Sequence, residues 1–110
     1  MTKQRRPLRS RVIGHNWATP IGIQWFEPHE YARILEIMNY PPEMTRDYER
    51  WRELAEDHER FLKRHKRNLM IVRVVVHPDE FVAWCNASTV QPNSKSLRAF
   101  VQYRVTPERA

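Results

Sequence analysis

A single cysteine, Cys85, is present, so no intramolecular disulfide can form and no cluster of thiolates can hold a structural metal. A reducing compartment is the natural setting for such a chain. Glycine is almost as scarce: Gly14 and Gly22 stand against eight prolines, so proline punctuates this sequence and no glycine-rich loop is available to cradle phosphates. Long apolar runs are missing too. The longest such stretch, around Ile71 to Val76, is far too short to cross a bilayer, and the opening MTKQRRPLRSR is charged with no apolar run after it. These features point to a cytoplasmic protein with no membrane partner.

What is present is a chain of 110 residues, 41% hydrophobic, with four Trp, four Tyr and four Phe, enough to bury one core but not two. The net charge of +6 is unevenly placed. Residues 1–11 carry five cations and no anion, residues 12–59 four cations against ten anions, and residues 60–110 ten cations against three anions. Residues 1–11 read as a flexible basic tail with nothing to bury, and 12–110 as one folded domain. The two basic regions can steer an acidic partner, or can simply serve solubility and internal pairing.

Ile21, Ile23 and Trp25 alternate with Gly22, Gln24 and Phe26, the period of a strand. Pro28 and Glu30 suit the start of a helix, and Tyr31, Ile34, Leu35 and Met38 recur on one side of it to about Asn39, where Tyr40-Pro41-Pro42 must end it. Thr45 is a candidate N-cap for a long second helix reaching about Arg67. Its positions Phe61, Leu54, His65, His58, Trp51, Leu62, Ala55 and Tyr48 fall on one arc of roughly 140°. Leu69–Val76 is a gapless β-branched run broken only by Arg73, the pattern of a central strand covered on both faces. A short third helix opens at Pro78-Asp79-Glu80 and fades near Asn86 to Ser88. Leu97, Ala99, Val101, Tyr103 and Val105 then alternate with polar and aromatic neighbours, which predicts a closing strand. The order β-α-α-β-α-β predicts an α+β fold: a small three-stranded mixed sheet with helices packed on one face.

Trp25-Phe26, Tyr31, Tyr48, Trp51, Ala55-Glu56, Pro78-Asp79-Glu80-Phe81 and Trp84-Cys85 resemble a group of small bacterial proteins of unknown function, over about residues 23–90. The basic tail and the final segment depart from that pattern. The resemblance implies a bacterial cytosolic origin and carries no substrate or mechanism.

Three constellations are candidates for function. Lys3, Arg5, Arg6, Arg9 and Arg11 in the tail, with Arg60, Lys63, Arg64, Lys66 and Arg67 at the end of the second helix, can neutralise a phosphate backbone without reading bases, and Lys95, Arg98 and Arg104 can extend that surface. No zinc-finger, RNP-type or helix-turn-helix signature accompanies them; the competing reading is a solvated tail and a dipole-matched helix end. His58 and His65 lie inside the apolar arc, but seven residues separate them by about 10.5 Å along the axis, too far for one zinc ion. Arg73, inside an apolar strand, can face an anion pocket beside His58 and Trp51, or can pair with a helix carboxylate. Cys85 comes late in its helix, away from the end that would favour a thiolate, and reads as a buried thiol.

No Ser-His-Asp signature, metal cluster or cofactor motif appears, so the reading leans away from an enzyme. The leading expectation is a small non-enzymatic module that binds an acidic partner, nucleic acid or an acidic protein, through the tail and Lys63, Arg64, Lys66 and Arg67. One alternative is a ligand or enzymatic pocket around Arg73, His58, His65 and Trp51. Another is a self-associating domain, a homodimer formed through an uncovered sheet edge or aromatic patch.

Overall fold

A computed structural model describes residues 19–106; the tail cations Lys3, Arg5, Arg6, Arg9 and Arg11 lie outside the described residues. The chain is α+β, in the order β1 (Thr19–Trp25), α1 (Tyr31–Ile37), α2 (Tyr48–His65), β2 (Leu69–Val75), α3 (Pro78–Ser88) and α4 (Ser94–Val105). Among the described residues the sheet has two strands, β1 and β2, paired in parallel with Thr19 opposite Leu69 and Trp25 opposite Val75. Parallel strands need a crossover, and α1 and α2 supply it.

The segment predicted as a third strand is the helix α4. Its buried residues are Ser96, Leu97, Phe100 and Val101, spaced i, i+1, i+4, i+5, which is a helical face and not an alternating one. Asn93 fixes its start: its side chain accepts from the Ser96 N–H at 2.9 Å while the Ser96 hydroxyl accepts from the Asn93 N–H at 2.9 Å, a reciprocal cap. That cap holds two of the backbone N–H groups that a helix start leaves without partners.

Helices cover both faces of the sheet, not one. Ile23, Trp25 and Arg73 share one face, on which Trp25 meets Trp51 of α2 with ring centroids 5.3 Å apart and Arg73 meets Glu59 of α2. Gly22 and Val74 share the other face, and a Cβ built on Gly22 would lie 2.9 Å from Val101 Cγ1 of α4. Two-sided cover is what the gapless apolar run of β2 requires. Beyond α4, α3 packs on α4 and α1 packs on α3.

Other boundaries shift by a turn or less. The N-cap of α2 is Asp47, which accepts from the Glu49 N–H at 3.1 Å, while Thr45 Oγ1 accepts from the Asp47 N–H at 3.2 Å one step earlier. The first helix stops as anticipated before Pro41: Asn39 and Tyr40 both adopt left-handed φ, 60° and 53°, and the Tyr40 N–H closes on the Leu35 carbonyl at 2.8 Å. An aromatic core gathers where α1, α2 and the end of β1 meet, with Trp51 buried among Trp25, Phe26, Tyr31 and Tyr48. Burial there, with the Asp47 charge adding to it, pushes the Tyr31 hydroxyl up to about 12, so it stays protonated and donates to the Thr45 carbonyl. Among the described residues no helix is long and apolar enough to cross a membrane.

Candidate functional site

The parallel pairing sets the start of β1 beside the end of α2. The Thr19 N–H donates to the Asn68 carbonyl at 3.0 Å, so the start of β1 sits beside the residue that follows Arg67. Arg11 precedes Thr19 by eight residues, a reach of at most about 28 Å in extended chain. Thr19, the first described residue, therefore lies beside the cationic end of α2 at one pole of the described residues.

At that pole Lys63, Arg64, Lys66 and Arg67 are all exposed. Lys63 Nζ lies 3.8 Å from the Glu59 carboxylate and Arg60 pairs with Asp57, whereas Arg64, Lys66 and Arg67 form no ion pair among the described residues. Phe61 belongs to the same last turns of α2. It is 51% exposed and stacks on His65 with centroids 4.3 Å apart, and His65 Nδ1 lies 3.0 Å from the Phe61 carbonyl. A half-exposed aromatic pair among uncommitted cations is suited to stacking on a nucleobase.

Arg73, His58, His65 and Trp51 do not converge on one cavity. The Arg73 guanidinium grips the Glu59 carboxylate through two hydrogen bonds, Nε at 2.8 Å and Nη2 at 2.7 Å, and lies 3.8 Å over the Trp25 ring. The Arg73 hydrogen bonds outweigh the cost of burial and hold the Glu59 carboxyl below its ordinary value, while the same pairing raises Arg73. Trp51 and His58 instead line a groove of about 600 Å³ along the edge of β1 that faces away from β2. His65 is at the basic pole. Helical periodicity placed all three α2 residues on one arc, but only the way α2 crosses the sheet shows which of them border the groove.

The Glu59 and Arg73 pair has a testable consequence. Glu59 is almost fully buried and Arg73 is half-exposed, so removing the carboxylate leaves a partly desolvated guanidinium without its partner. Glu59→Gln is expected to cost about 2 kcal/mol at neutral pH, discounted for the exposure of Arg73. The folded-state pKa of Glu59 lies below the ordinary 4.5, so its contribution is complete above that value and fades as pH falls through the folded pKa. Urea unfolding at pH 7 and pH 3 checks this: the parent should lose more stability on acidification than the variant, and equal losses would refute the assignment.

The remaining chemistry is quiet. Burial raises the Cys85 thiol, against a smaller opposing effect of its Ser96 hydrogen bond, so it is held as a neutral thiol. Asp79 and Glu80 occupy the first turn of α3, and Glu80 pairs with Arg104 at 3.1 Å. His77 Nδ1 lies 2.9 Å from a Glu30 carboxylate oxygen. Among the described residues no group of three or more His, Cys, Asp or Glu side chains is placed to hold a metal ion. Comparison with protein-family models, with curated proteins and with solved structures finds no match to this chain.

Proposed function

We propose that the protein is a non-enzymatic binding module of the cytoplasm that engages nucleic acid at its basic pole. The observation that carries this reading is the Thr19 to Asn68 hydrogen bond, which sets Thr19, the first described residue, eight positions after Arg11, beside the cationic end of α2. Lys3, Arg5, Arg6, Arg9 and Arg11 then act with Lys63, Arg64, Lys66 and Arg67 on one polyanion, each neutralised phosphate releasing condensed counterions. Phe61 and His65 offer a stacking surface beside those charges, which favours unpaired bases over a duplex.

Fluorescence anisotropy with labelled single-stranded and duplex oligonucleotides across a salt series tests this. Affinity is expected to fall steeply with salt, with a log-log slope of about −0.7 for each single-strand phosphate neutralised. A chain lacking residues 1–11 should show a shallower slope, and Phe61→Ala should weaken single-strand binding about tenfold with little change in slope. Absence of binding at low salt rejects the proposal. Displacement of the oligonucleotide by polyglutamate at equal charge concentration would reassign the pole to an acidic protein.

A further inference from the structure

The apolar arc of α2 is wider than the sheet beneath it. Trp51, Ala55 and Tyr48 turn into the fold, whereas Leu54 and Phe61 are 47% and 51% exposed and His58 and His65 are exposed beside them. Of these, Leu54 and His58 border the outer edge of β1, where a third strand would lie. Backbone geometry agrees. The Thr19 N–H and the Trp25 carbonyl bond toward β2, so the alternate residues Pro20, Gly22 and Gln24 direct their backbone groups the other way.

One stretch of that edge already carries a stand-in for a strand. The Gln102 side chain of α4 accepts from the Gly22 N–H and donates to the Pro20 carbonyl, each at 3.4 Å, bracketing Ile21 as a parallel neighbour would. The next stretch, the Gly22 carbonyl with the Gln24 N–H and carbonyl, has no such partner among the described residues and borders the 600 Å³ groove. That volume is within the range of sites that enclose a small ligand or a few residues of peptide. The walls differ. Ile23, Trp51, Leu54 and Ala55 make the α2 side apolar, while Arg98 on the α4 side is within electrostatic reach of Glu43 but forms no ion pair with it or with another of the described residues. Glu43 stands at the same rim, engaged by the Ser94 hydroxyl. By contrast the outer edge of β2 is shallow and set with Arg73, His77, Glu80 and Arg104, charges of the kind that keep other strands away.

We propose that the open edge of β1 receives an extended segment of a partner protein, added as a strand, with apolar side chains directed at the α2 wall and an alternate acidic side chain at Arg98. Main-chain hydrogen bonds to Gly22 and Gln24 hold the segment, and the two unlike walls select its alternating pattern. This surface is separate from the basic pole, and its use does not depend on nucleic-acid binding.

The test is a titration of the full ¹⁵N-labelled chain with the acetylated, amidated peptide Val-Glu-Val-Glu-Val, followed by backbone amide shifts and hydrogen exchange. Shifts are expected at Gly22, Ile23, Gln24, Leu54, His58 and Arg98, with slower exchange of the Gln24 amide. The Val-Lys counterpart, and a peptide N-methylated along its backbone, should each bind at least about tenfold more weakly. Arg98→Glu should reverse the preference between the Glu and Lys peptides; Leu54→Glu, an exposed position, should weaken both. No shift at millimolar peptide overturns the proposal, as does equal binding of the N-methylated peptide. A Gln24 amide already protected in the unliganded protein overturns it as well, assigning the edge to residues 1–18 if the mass is that of one chain and to a second copy if it is that of two.

Discussion

Trp51→Ala is expected to lower the unfolding free energy by about 4 kcal/mol. The indole is buried at 7% exposure and meets four other rings, with centroids 5.3 Å from Trp25, 4.9 Å from Phe26, 5.5 Å from Tyr31 and 5.6 Å from Tyr48. Those rings come from the end of β1, the residue after it, α1 and α2 itself, so one side chain joins the crossover helices to the sheet. Truncation removes the transfer free energy of a large aromatic and leaves a cavity that rigid neighbouring rings cannot fill. Domains of this size are stable by only about 5–15 kcal/mol, so the variant should be marginal at room temperature. Urea unfolding followed by far-ultraviolet circular dichroism measures the loss. A cost below about 1 kcal/mol would mean that the aromatic cluster is not what ties α1 and α2 to β1.

Gly22→Val is expected to cost about 3 kcal/mol, from crowding and not from backbone strain. A Cβ at this position would lie 2.9 Å from Val101 Cγ1, 3.0 Å from the Val101 carbonyl and 3.1 Å from Val74 Cγ2. The carbonyl belongs to the helix backbone and both valines are buried and β-branched, so relief requires α4 to move off the sheet. Moving it would also pull Gln102 from the β1 edge. Gly22→Ala serves as the graded control and should cost about half as much, because the added methyls of valine enlarge the clash. Thermal or urea unfolding of the two variants reads the difference. If Gly22→Val proves no less stable than Gly22→Ala, α4 is not held in close contact with β1.

The local signals that proved legible are those in which one residue type has a single physical consequence. Pro41 and Pro42 cannot continue a helix, and α1 ends before them with two left-handed residues. Pro78, Asp79 and Glu80 open α3. Residues 97–105 predict a strand because Leu97, Val101 and Val105, two steps of four residues, satisfy both periods and their neighbours are aromatic and β-branched, yet they lie within the helix α4. The deciding signal was Asn93 three residues before Ser96, a pairing whose capping role is visible in the sequence once serine is allowed as the reciprocal partner.

The sites divide in the same way. That Arg73 needs an anion or an exit follows from burying a guanidinium among aliphatic residues, and periodicity had already placed His58, His65 and Trp51 along one arc. Which carboxylate meets Arg73, and that Trp51 and His58 border a groove while His65 does not, follow only from the angle at which α2 crosses the sheet.

By itself the sequence determined the α+β class, the two crossover helices, the apolar strand β2 and the separation of charge along the chain, because each depends on neighbours within a few residues; that β2 is an edge strand and not a central one among the described residues was not legible there. The tertiary structure decided the rest: a parallel register that sets Thr19 beside the cationic end of α2, a fourth helix where a strand was expected, cover on both faces of the sheet, and a β1 edge between α2 and α4 that no strand among the described residues pairs with. Those features depend on contacts between residues about fifty or eighty positions apart, such as Thr19 with Asn68 and Gly22 with Gln102, whose energies no local pattern encodes.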